Sequence, residues 1–163
     1  YSSAASDVYK RQVQVEAVLA QCDLFLNEGA ALQEKTQKAQ KSWAQKEQNL
    51  QAEAAQLQEK YQKGLITTND AQAQQQSIEK RVASYQSSAQ KEAQALDEEN
   101  YVFTNRAQDL LHRAVQEING DKKYKLIINA TALIDADSTL NITPAVLAKV
   151  NELYAADKKA VKK

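Results

Sequence analysis

The chain has 163 residues, and its 21 lysines and arginines balance its 21 aspartates and glutamates, so the formal net charge is zero. A neutral balance argues against a dedicated nucleic-acid binder, which usually carries a clear basic excess, and gives little attraction to an anionic membrane surface. Only three glycines and one proline occur, while good helix formers abound, so the composition favours extended helices over a compact globule.

The start of the chain differs in pattern from the rest of the sequence. Residues 1-12 show neither helical periodicity nor a clear strand pattern, and we predict that they are a foreign or disordered start. Val13 and Val15 flank Gln14, which is the alternation expected at the end of a strand. Residues 16–22 then read as one or two helical turns.

A first long helix is predicted from about Ala30. Apolar or small residues recur there at spacings of four and three over about four heptads, and Lys46 is the one position that breaks the set. This spacing is typical of the seam of a coiled coil. The seam residues are Leu32, Thr36, Ala39, Trp43, Leu50, Ala54, Leu57 and Tyr61.

After a short break, a second long helix is predicted. Gly64 can adopt the positive φ that ends many helices, and Asn69 with Gln72 fits a variant of the capping box. A turn of about five residues requires the two helices to run antiparallel, so the sequence predicts a helical hairpin. The second seam comprises Gln75, Ile78, Val82, Tyr85, Ala89, Glu92, Leu96, Phe103 and Leu110.

The end of the second helix changes character, because its apolar stripe widens and therefore faces a core. We predict that Gly120 ends this helix and that residues 124–130 form a strand, with residues 131–136 as extended chain or a second strand. Thr143 before Pro144 marks the start of a last short helix, with Thr143 as its cap and Pro144 as its first helical residue. The wide stripe consists of Leu110, Leu111, Ala114, Val115 and Ile118.

Residue types that carry chemistry are sparse. His112 is the single histidine and has no partner at metal-ligand spacing, and the pair Asp135 and Asp137 is more simply explained as a loop that bonds its own backbone. No glycine-rich phosphate loop and no nucleophile motif occurs. We therefore expect no catalytic residue, no metal and no cofactor, and we predict that the chain is not an enzyme. No apolar run of about 18 residues exists, so no stable membrane insertion is expected.

The aromatic residues of the hairpin allow two interpretations. Trp43, Tyr61 and Tyr85 could pack between the two helices or present amphipathic contacts to a partner, and one residue could do both. Leu65 and Ile66 lie at the predicted turn, where two adjacent apolar residues suggest a contact surface. A thin hairpin also buries little of its surface, so further copies of the chain are expected to cover part of it.

Three stretches of the sequence resemble the Skp/OmpH family of bacterial periplasmic chaperones. The first is Ala17-Val18-Leu19 through Asp23-Leu24-Phe25, and the second is the hairpin rich in Gln, Lys and Glu. The third and most specific is the run from Tyr124 to Asp135, together with the later run Leu140-Asn-Ile-Thr-Pro-Ala-Val-Leu. The resemblance extends from about Val13 to the end of the chain.

The resemblance implies a mainly α fold with a small β part (α+β), in which a long antiparallel coiled-coil hairpin projects from a small β-barrel body formed by a homotrimer. Residues 13-29 plus 104-163 would then form the trimerisation body, and residues 30-103 the hairpin. It further implies an ATP-independent holdase that binds unfolded outer-membrane β-barrel proteins in the periplasm and prevents their aggregation, with no nucleic-acid partner. Because the chain is neutral overall, no lipopolysaccharide site is transferred to it.

The candidate residues fall into two groups. The predicted client-binding set on the hairpin faces and turn is Trp43, Leu57, Tyr61, Leu65, Ile66 and Tyr85. The predicted oligomerisation and body-core set is Leu110, Val115, Ile118, Leu126, Ile128 and Leu133.

The sequence also allows an alternative function. A structural coiled-coil scaffold or adaptor of the bacterial envelope would also need a long hairpin and few chemical groups. It would form a saturable complex with one folded partner, and it would leave unfolded proteins unaffected.

Overall fold

A computed structural model describes residues 10–162, and these separate into two compact units, residues 10–31 with 101–162 and residues 32–100. The described chain is mainly helical with two short strands, as predicted. In chain order its elements are β1 (Lys10–Val13), α1 (Val15–Gln21), a π-helical turn (Phe25–Gly29), α2 (Ala30–Gln62), α3 (Thr68–Ile118), β2 (Leu126–Asn129), two 3₁₀ turns (Ala130–Ala132 and Ser138–Leu140) and α4 (Thr143–Val161).

The first unit contains a two-stranded parallel sheet. β1 and β2 pair with Lys10 opposite Leu126. On the other side of β1, the backbone nitrogen of Ile142 donates to the carbonyl oxygen of Gln12 at 3.0 Å. β1 therefore has neighbours on both edges, whereas among residues 10–162 β2 has a strand partner on one edge only.

The expected disordered start is wrong for its last three positions. Lys10, Arg11 and Gln12 lie in β1 and pair with β2, whereas residues 1–9 lie outside the described part of the chain. The side chains of Lys10, Arg11 and Gln12 are all polar, so this segment lacks the alternation of apolar and polar residues that predicts a strand. The pairing comes from a partner more than a hundred residues away in the sequence.

The second strand is shorter than predicted. It covers Leu126–Asn129 rather than residues 124–130, and no strand occurs within residues 131–136. The side-chain oxygen of Asn129 accepts a hydrogen bond from the backbone nitrogen of Thr131 at 3.3 Å, which turns the chain into a 3₁₀ turn. An Asn side chain that bonds the backbone two residues on favours a turn over a ladder.

The core of the first unit lies between α1, the last part of α3 and α4. Val18, Leu24, Ala114 and Val146 are completely buried there, and Val150 on α4 is nearly so. These positions follow the helical period on each element, so each helix contributes one apolar stripe to a shared interior. The remaining buried members are Val13, Cys22, Ala107, Leu110, Leu153 and Tyr154.

The start of α4 differs from the prediction in one detail. Thr143 is its first residue, and Pro144 lies within the first turn. The Thr143 hydroxyl does not cap this helix. It accepts a hydrogen bond from the backbone nitrogen of Gln14 at 2.9 Å and thus joins the end of β1 to the start of α4.

A π-helical turn precedes α2. Its last residue, Gly29, packs so closely on Phe103 that a Cβ atom there would lie 2.9 Å from the ring. The ring of Phe25 also contacts that of Phe103, with centroids 6.2 Å apart. The glycine is therefore required by close packing, and not by its backbone conformation.

The second unit consists of two antiparallel helical segments, residues 32–62 of α2 and 68–100 of α3. Cross-helix partners show the direction, because Lys35 pairs with Glu99 while Glu53 pairs with Arg81 nearer the turn. Few side chains are fully enclosed, as expected for only two helices. The buried residues are Ala39, Leu57, Ile78 and Leu96.

The turn between these helices is closed by the chain's own backbone. Gly64 has a φ of +67°, and the backbone nitrogens of Gly64 and Leu65 donate to the carbonyls of Tyr61 and Lys60 at 3.1 and 2.9 Å. This pair of bonds is the Schellman motif, which requires a left-handed residue at the glycine position.

The cap of α3 lies two residues earlier than predicted. The hydroxyl of Thr67 accepts from the backbone nitrogen of Asp70 at 3.1 Å, and it donates to the Asp70 carboxylate at 2.8 Å. Asn69, which was expected to cap this helix with Gln72, lies inside its first turn instead. The Asp70 carboxylate accepts from the Thr67 hydroxyl and not from the Thr67 backbone nitrogen, so this is a threonine cap and not a full capping box.

Candidate functional site

Trp43 and Tyr85 lie at the interface between the two helices of the second unit. The indole Nε1 of Trp43 donates to Oε2 of Glu92 at 2.7 Å, and the hydroxyl of Tyr85 donates to the carbonyl oxygen of Trp43 at 3.0 Å. Both rings are half-buried. Each aromatic residue therefore packs between the helices, as one interpretation predicts, and keeps part of its surface exposed. Contact of these side chains with a partner stays a prediction.

Ion pairs connect the same two helices on their exposed sides. Arg81 forms a two-pronged pair with Glu53, with Nη1 3.0 Å from Oε1, and Lys35 pairs with Glu99. Hydrogen bonding from Arg81 lowers the pKa of the Glu53 carboxyl below its usual value. Because all four groups are largely exposed, solvent screening keeps their contribution to stability small.

Next to the turn, a solvent-open groove of about 1000 Å³ lies between α2 and α3. Leu57 forms its floor and is 7% exposed, whereas the ring of Tyr61 on its wall is half exposed. The rest of the lining is small or polar. It comprises Ala54, Ala55, Gln58, Gln62, Thr68, Ala71, Gln72, Gln75, Gln76 and Glu79.

The two apolar residues of the turn have different environments. Leu65 is 72% exposed, while Ile66 is half-buried. Of the six residues predicted to bind clients, Leu57, Tyr61, Leu65 and Ile66 thus lie at the groove or the adjoining turn, and Trp43 and Tyr85 lie farther along the helices. None of the glutamines of the groove is among these six, because the individual positions were chosen for apolar and aromatic side chains.

Some of the residues predicted for the body core lie in the core of the first unit, and others lie on its outward face. Leu110 is buried in the core of the first unit, and Val115 and Ile118 pack against it. In β2, by contrast, it is Ile127 that packs against the core. Because neighbouring residues of a strand point to opposite faces, Leu126 and Ile128 lie on the face turned away from it.

This outward face of the first unit carries exposed apolar surface. On this face Leu126 is 49% exposed and Ile128 is half-buried. Farther along the chain, Leu133 is half-buried and Ile134, which sequence reasoning missed, is fully exposed. An isolated exposed apolar side chain is ordinary, but apolar side chains on a strand with an unpaired edge are typical of an interaction surface.

A polar network ties α4 to the π-helical turn within the first unit. The hydroxyl of Tyr154 donates to Oε1 of Glu28 at 3.0 Å, and Arg106 Nη1 donates to the other carboxylate oxygen at 2.5 Å. Partial burial alone would raise the pKa of Glu28, but hydrogen bonds from Arg106 and Tyr154 and the positive charges of Arg106 and Lys158 lower it overall. Burial and the bond to Glu28 raise the pKa of Tyr154.

A second ion pair joins α3 to α4. Arg113 holds Asp157 with two hydrogen bonds of 2.8 and 3.1 Å. The hydrogen bond from Arg113 outweighs burial and lowers the pKa of the Asp157 carboxyl. These networks orient the helices of the first unit relative to one another.

The described residues offer neither a metal site nor a membrane span. Within residues 10–162, no group of three or more His, Cys, Asp or Glu side chains comes together where a metal ion could bind. In the loop before α4, the Asp137 carboxylate accepts from the backbone nitrogen of Thr139 at 2.8 Å, as expected for a local turn. Every helix in the same described stretch lacks the length or apolar character needed to cross a bilayer.

Comparisons with known proteins agree on one family. The sequence pattern of the family described as outer membrane protein (OmpH-like) matches residues 12–150. A search of curated proteins gave no match. Among solved structures, the chain is similar to the crystal structure of a proposed outer membrane chaperone (OmpH-like) from Caulobacter crescentus CB15. The identity is 16% and the TM-score is 0.74, over 89% of this chain and 85% of the other.

Proposed function

The chain belongs to the OmpH-like family of outer membrane proteins, and from this premise we propose that it is an ATP-independent holdase chaperone. It binds unfolded outer-membrane β-barrel proteins in the periplasm and prevents their aggregation. The mechanism needs no catalytic residue, metal or cofactor, and it involves no nucleic acid. The proposal rests on the family, on the helical fold shared with the Caulobacter structure, and on the surface of the second unit.

The observation that carries the proposal is the kind of surface that the second unit presents. Partly exposed apolar groups, such as the rings of Trp43 and Tyr61 and the side chain of Leu65, alternate there with uncharged amides and balanced charges. Such a surface supports many weak contacts instead of one fixed pose. A chaperone that keeps unfolded chains from aggregating requires contacts of this kind, because an unfolded client has no single conformation to recognise.

We further propose that the working form is a homotrimer. A two-stranded sheet with an open edge is marginal by itself, and parallel sheets are normally covered on both faces. The outer edge of β2, which carries Leu126 and Ile128, would be completed by strands of neighbouring copies, and the exposed side chain of Ile134 would be covered by them as well. In that assembly the small β part of each chain contributes to one closed barrel, from which the hairpins project as arms around a shared client.

An aggregation assay tests the holdase. A urea-unfolded outer-membrane β-barrel protein is diluted into buffer without nucleotide, and its light scattering is followed with and without a molar excess of the chain. We expect scattering to be suppressed in proportion to the chain added. Unchanged scattering at excess, together with a saturable complex with a folded envelope protein, would instead establish the scaffold or adaptor.

A mass measurement tests the trimer independently. Analytical ultracentrifugation of the full chain is expected to give three times the mass of one chain. A monomer or a dimer across the accessible concentrations would contradict the proposed assembly, whatever the aggregation assay shows.

A further inference from the structure

Four glutamines line the groove beside the turn of the second unit without using their side-chain amides. Gln58 and Gln62 come from α2, and Gln72 and Gln76 come from α3. None of these amides forms a hydrogen bond or other polar contact within residues 10–162. The groove therefore concentrates unused donors and acceptors from both of its walls.

The chemistry of these walls is neutral. Glu79 is the one charged side chain in the lining, and it already accepts a hydrogen bond from Gln75 at 3.0 Å. A primary amide offers an acceptor oxygen and two donor hydrogens, which complement the one N–H donor and one carbonyl acceptor of each peptide unit. A wall of such amides matches a polypeptide main chain and carries no preference for a charged ligand.

The dimensions fit an extended segment. The α2 wall runs from Ala54 to Gln62, which at the helical rise corresponds to roughly 12 Å. An extended chain advances about 3.3 Å per residue, so the groove accommodates about four residues. The buried Leu57 and the half-exposed ring of Tyr61 supply an apolar floor and flank for whatever side chains those residues carry.

We propose that this glutamine-lined groove binds an extended segment of an unfolded polypeptide through hydrogen bonds between its amides and the main chain of that segment. The inference rests on the holdase function proposed above and specifies where and by which chemistry a client is held. Since every client has the same main chain, such binding is independent of sequence. Because each bond has a small net value in water, the segment exchanges readily.

Changing the amides to alanine separates this chemistry from apolar binding. The test variant carries Gln58→Ala, Gln62→Ala, Gln72→Ala and Gln76→Ala in the full chain. A matched control makes the same change away from the groove, at Gln40, Gln48, Gln86 and Gln90, which are equally exposed helix positions. Alanine is the better helix former and makes the groove more apolar. If the groove held clients by apolar contact, the test variant would keep or gain affinity for them. If the glutamine amides hold the client, the test variant loses affinity.

The probe is a fluorescent, uncharged peptide of about sixteen residues with alternating polar and apolar side chains, and binding is measured by anisotropy. We expect the test variant to bind it about five- to thirtyfold more weakly than the wild type, as one or two net hydrogen bonds would produce. The control variant is expected to retain wild-type affinity. Far-UV circular dichroism verifies that all three chains are equally helical.

A second peptide avoids reliance on the variants. Methylation of alternate backbone nitrogens removes main-chain donors while the side chains stay the same. We expect this peptide to bind the wild type more weakly than its parent, and this penalty to shrink in the test variant, since the two changes remove the same bonds.

Several outcomes would overturn the inference. They are unchanged or tighter binding to the test variant, an equal methylation penalty in wild type and variant, and no binding of the parent peptide to the wild type. A change of oligomer mass in the test variant alone would show that a second copy occupies the groove. If the wild type and the test variant suppress aggregation equally well, the proposed role of the groove is wrong while the proposed holdase function is retained. If the wild type leaves aggregation unchanged, the proposed holdase function itself is wrong.

Discussion

The indole of Trp43 and the carboxylate of Glu92 join the two helices of the second unit through a hydrogen bond of 2.7 Å. Trp43 is the single tryptophan of the chain, so its fluorescence reports on this contact. Replacement of Glu92 by alanine leaves the half-buried indole without its acceptor. We expect the free energy of unfolding to fall by at most about 1 kcal/mol and the emission maximum of Trp43 to shift.

The matched control for this change is Glu98→Ala. Glu98 is an exposed glutamate on the same helix that has no ion pair within the described residues. The Glu98→Ala variant should leave the fluorescence emission of Trp43 and the urea midpoint of unfolding unchanged. An identical response of the two variants would show that the hydrogen bond contributes nothing.

Leu57 and Leu65 are expected to have opposite roles. Leu57→Ala empties a buried position and should lower the free energy of unfolding by about 2–3 kcal/mol. Leu65→Ala removes a side chain that is 72% exposed and should leave stability within about 0.5 kcal/mol of the wild type while weakening suppression of client aggregation. Urea unfolding and light scattering measure the two effects, and full client suppression by Leu65→Ala would remove the turn from the proposed client-binding surface.

Gly29 faces the ring of Phe103, which a Cβ atom would approach to 2.9 Å. Gly29→Ala should therefore destabilise the chain by about 1–3 kcal/mol through overpacking. The double variant Gly29→Ala with Phe103→Leu creates room for the new methyl group. We expect it to be less destabilised than the sum of the single variants, and strict additivity in thermal unfolding would contradict the packing explanation.

Glu28 and Asp157 make the stability of the first unit dependent on pH. Their folded pKa values lie below the usual carboxyl values of 4.5 and 3.8. Each contribution is therefore complete above the unfolded pKa and is lost as pH falls through the lower folded pKa. We expect the urea midpoint to fall on acidification below about pH 5, and Glu28→Gln to flatten this dependence. An equal slope in that variant and the wild type would exclude the Glu28 network as a source.

Exposed apolar side chains in and after β2 should control assembly without affecting the fold of one chain. Ile134 is fully exposed and Leu126 half exposed, so Leu126→Lys with Ile134→Lys costs little within the chain. At a subunit interface it would bury two unpaired charges. We expect a smaller mass in sedimentation with unchanged helicity. Val161→Lys, which alters another exposed apolar side chain at the end of α4, is the control and should leave the mass unchanged.

Local patterns were sufficient for the long helices, because the determinants of a helix lie within a few residues of one another. The spacing of apolar residues predicted both helices, the glycine at position 64 predicted the turn, and the shortness of that turn predicted their antiparallel arrangement. The run after Tyr124 was specific enough to indicate the family that the comparisons confirm. The cap at Thr67 was missed because several residues near the turn could form a capping box, and only the backbone conformation selects one.

What the sequence by itself determined is thus the helical hairpin and the family, since both depend on short-range periodicity and on a contiguous run of residues. Only the tertiary structure decided that Lys10–Val13 is a strand, that Ile127 rather than Leu126 and Ile128 faces the core, and that unused glutamine amides share one groove. In each case the partner is distant in the sequence. A polar strand is stabilised by the strand it pairs with, and a glutamine acquires a binding surface when a second helix supplies the opposite wall.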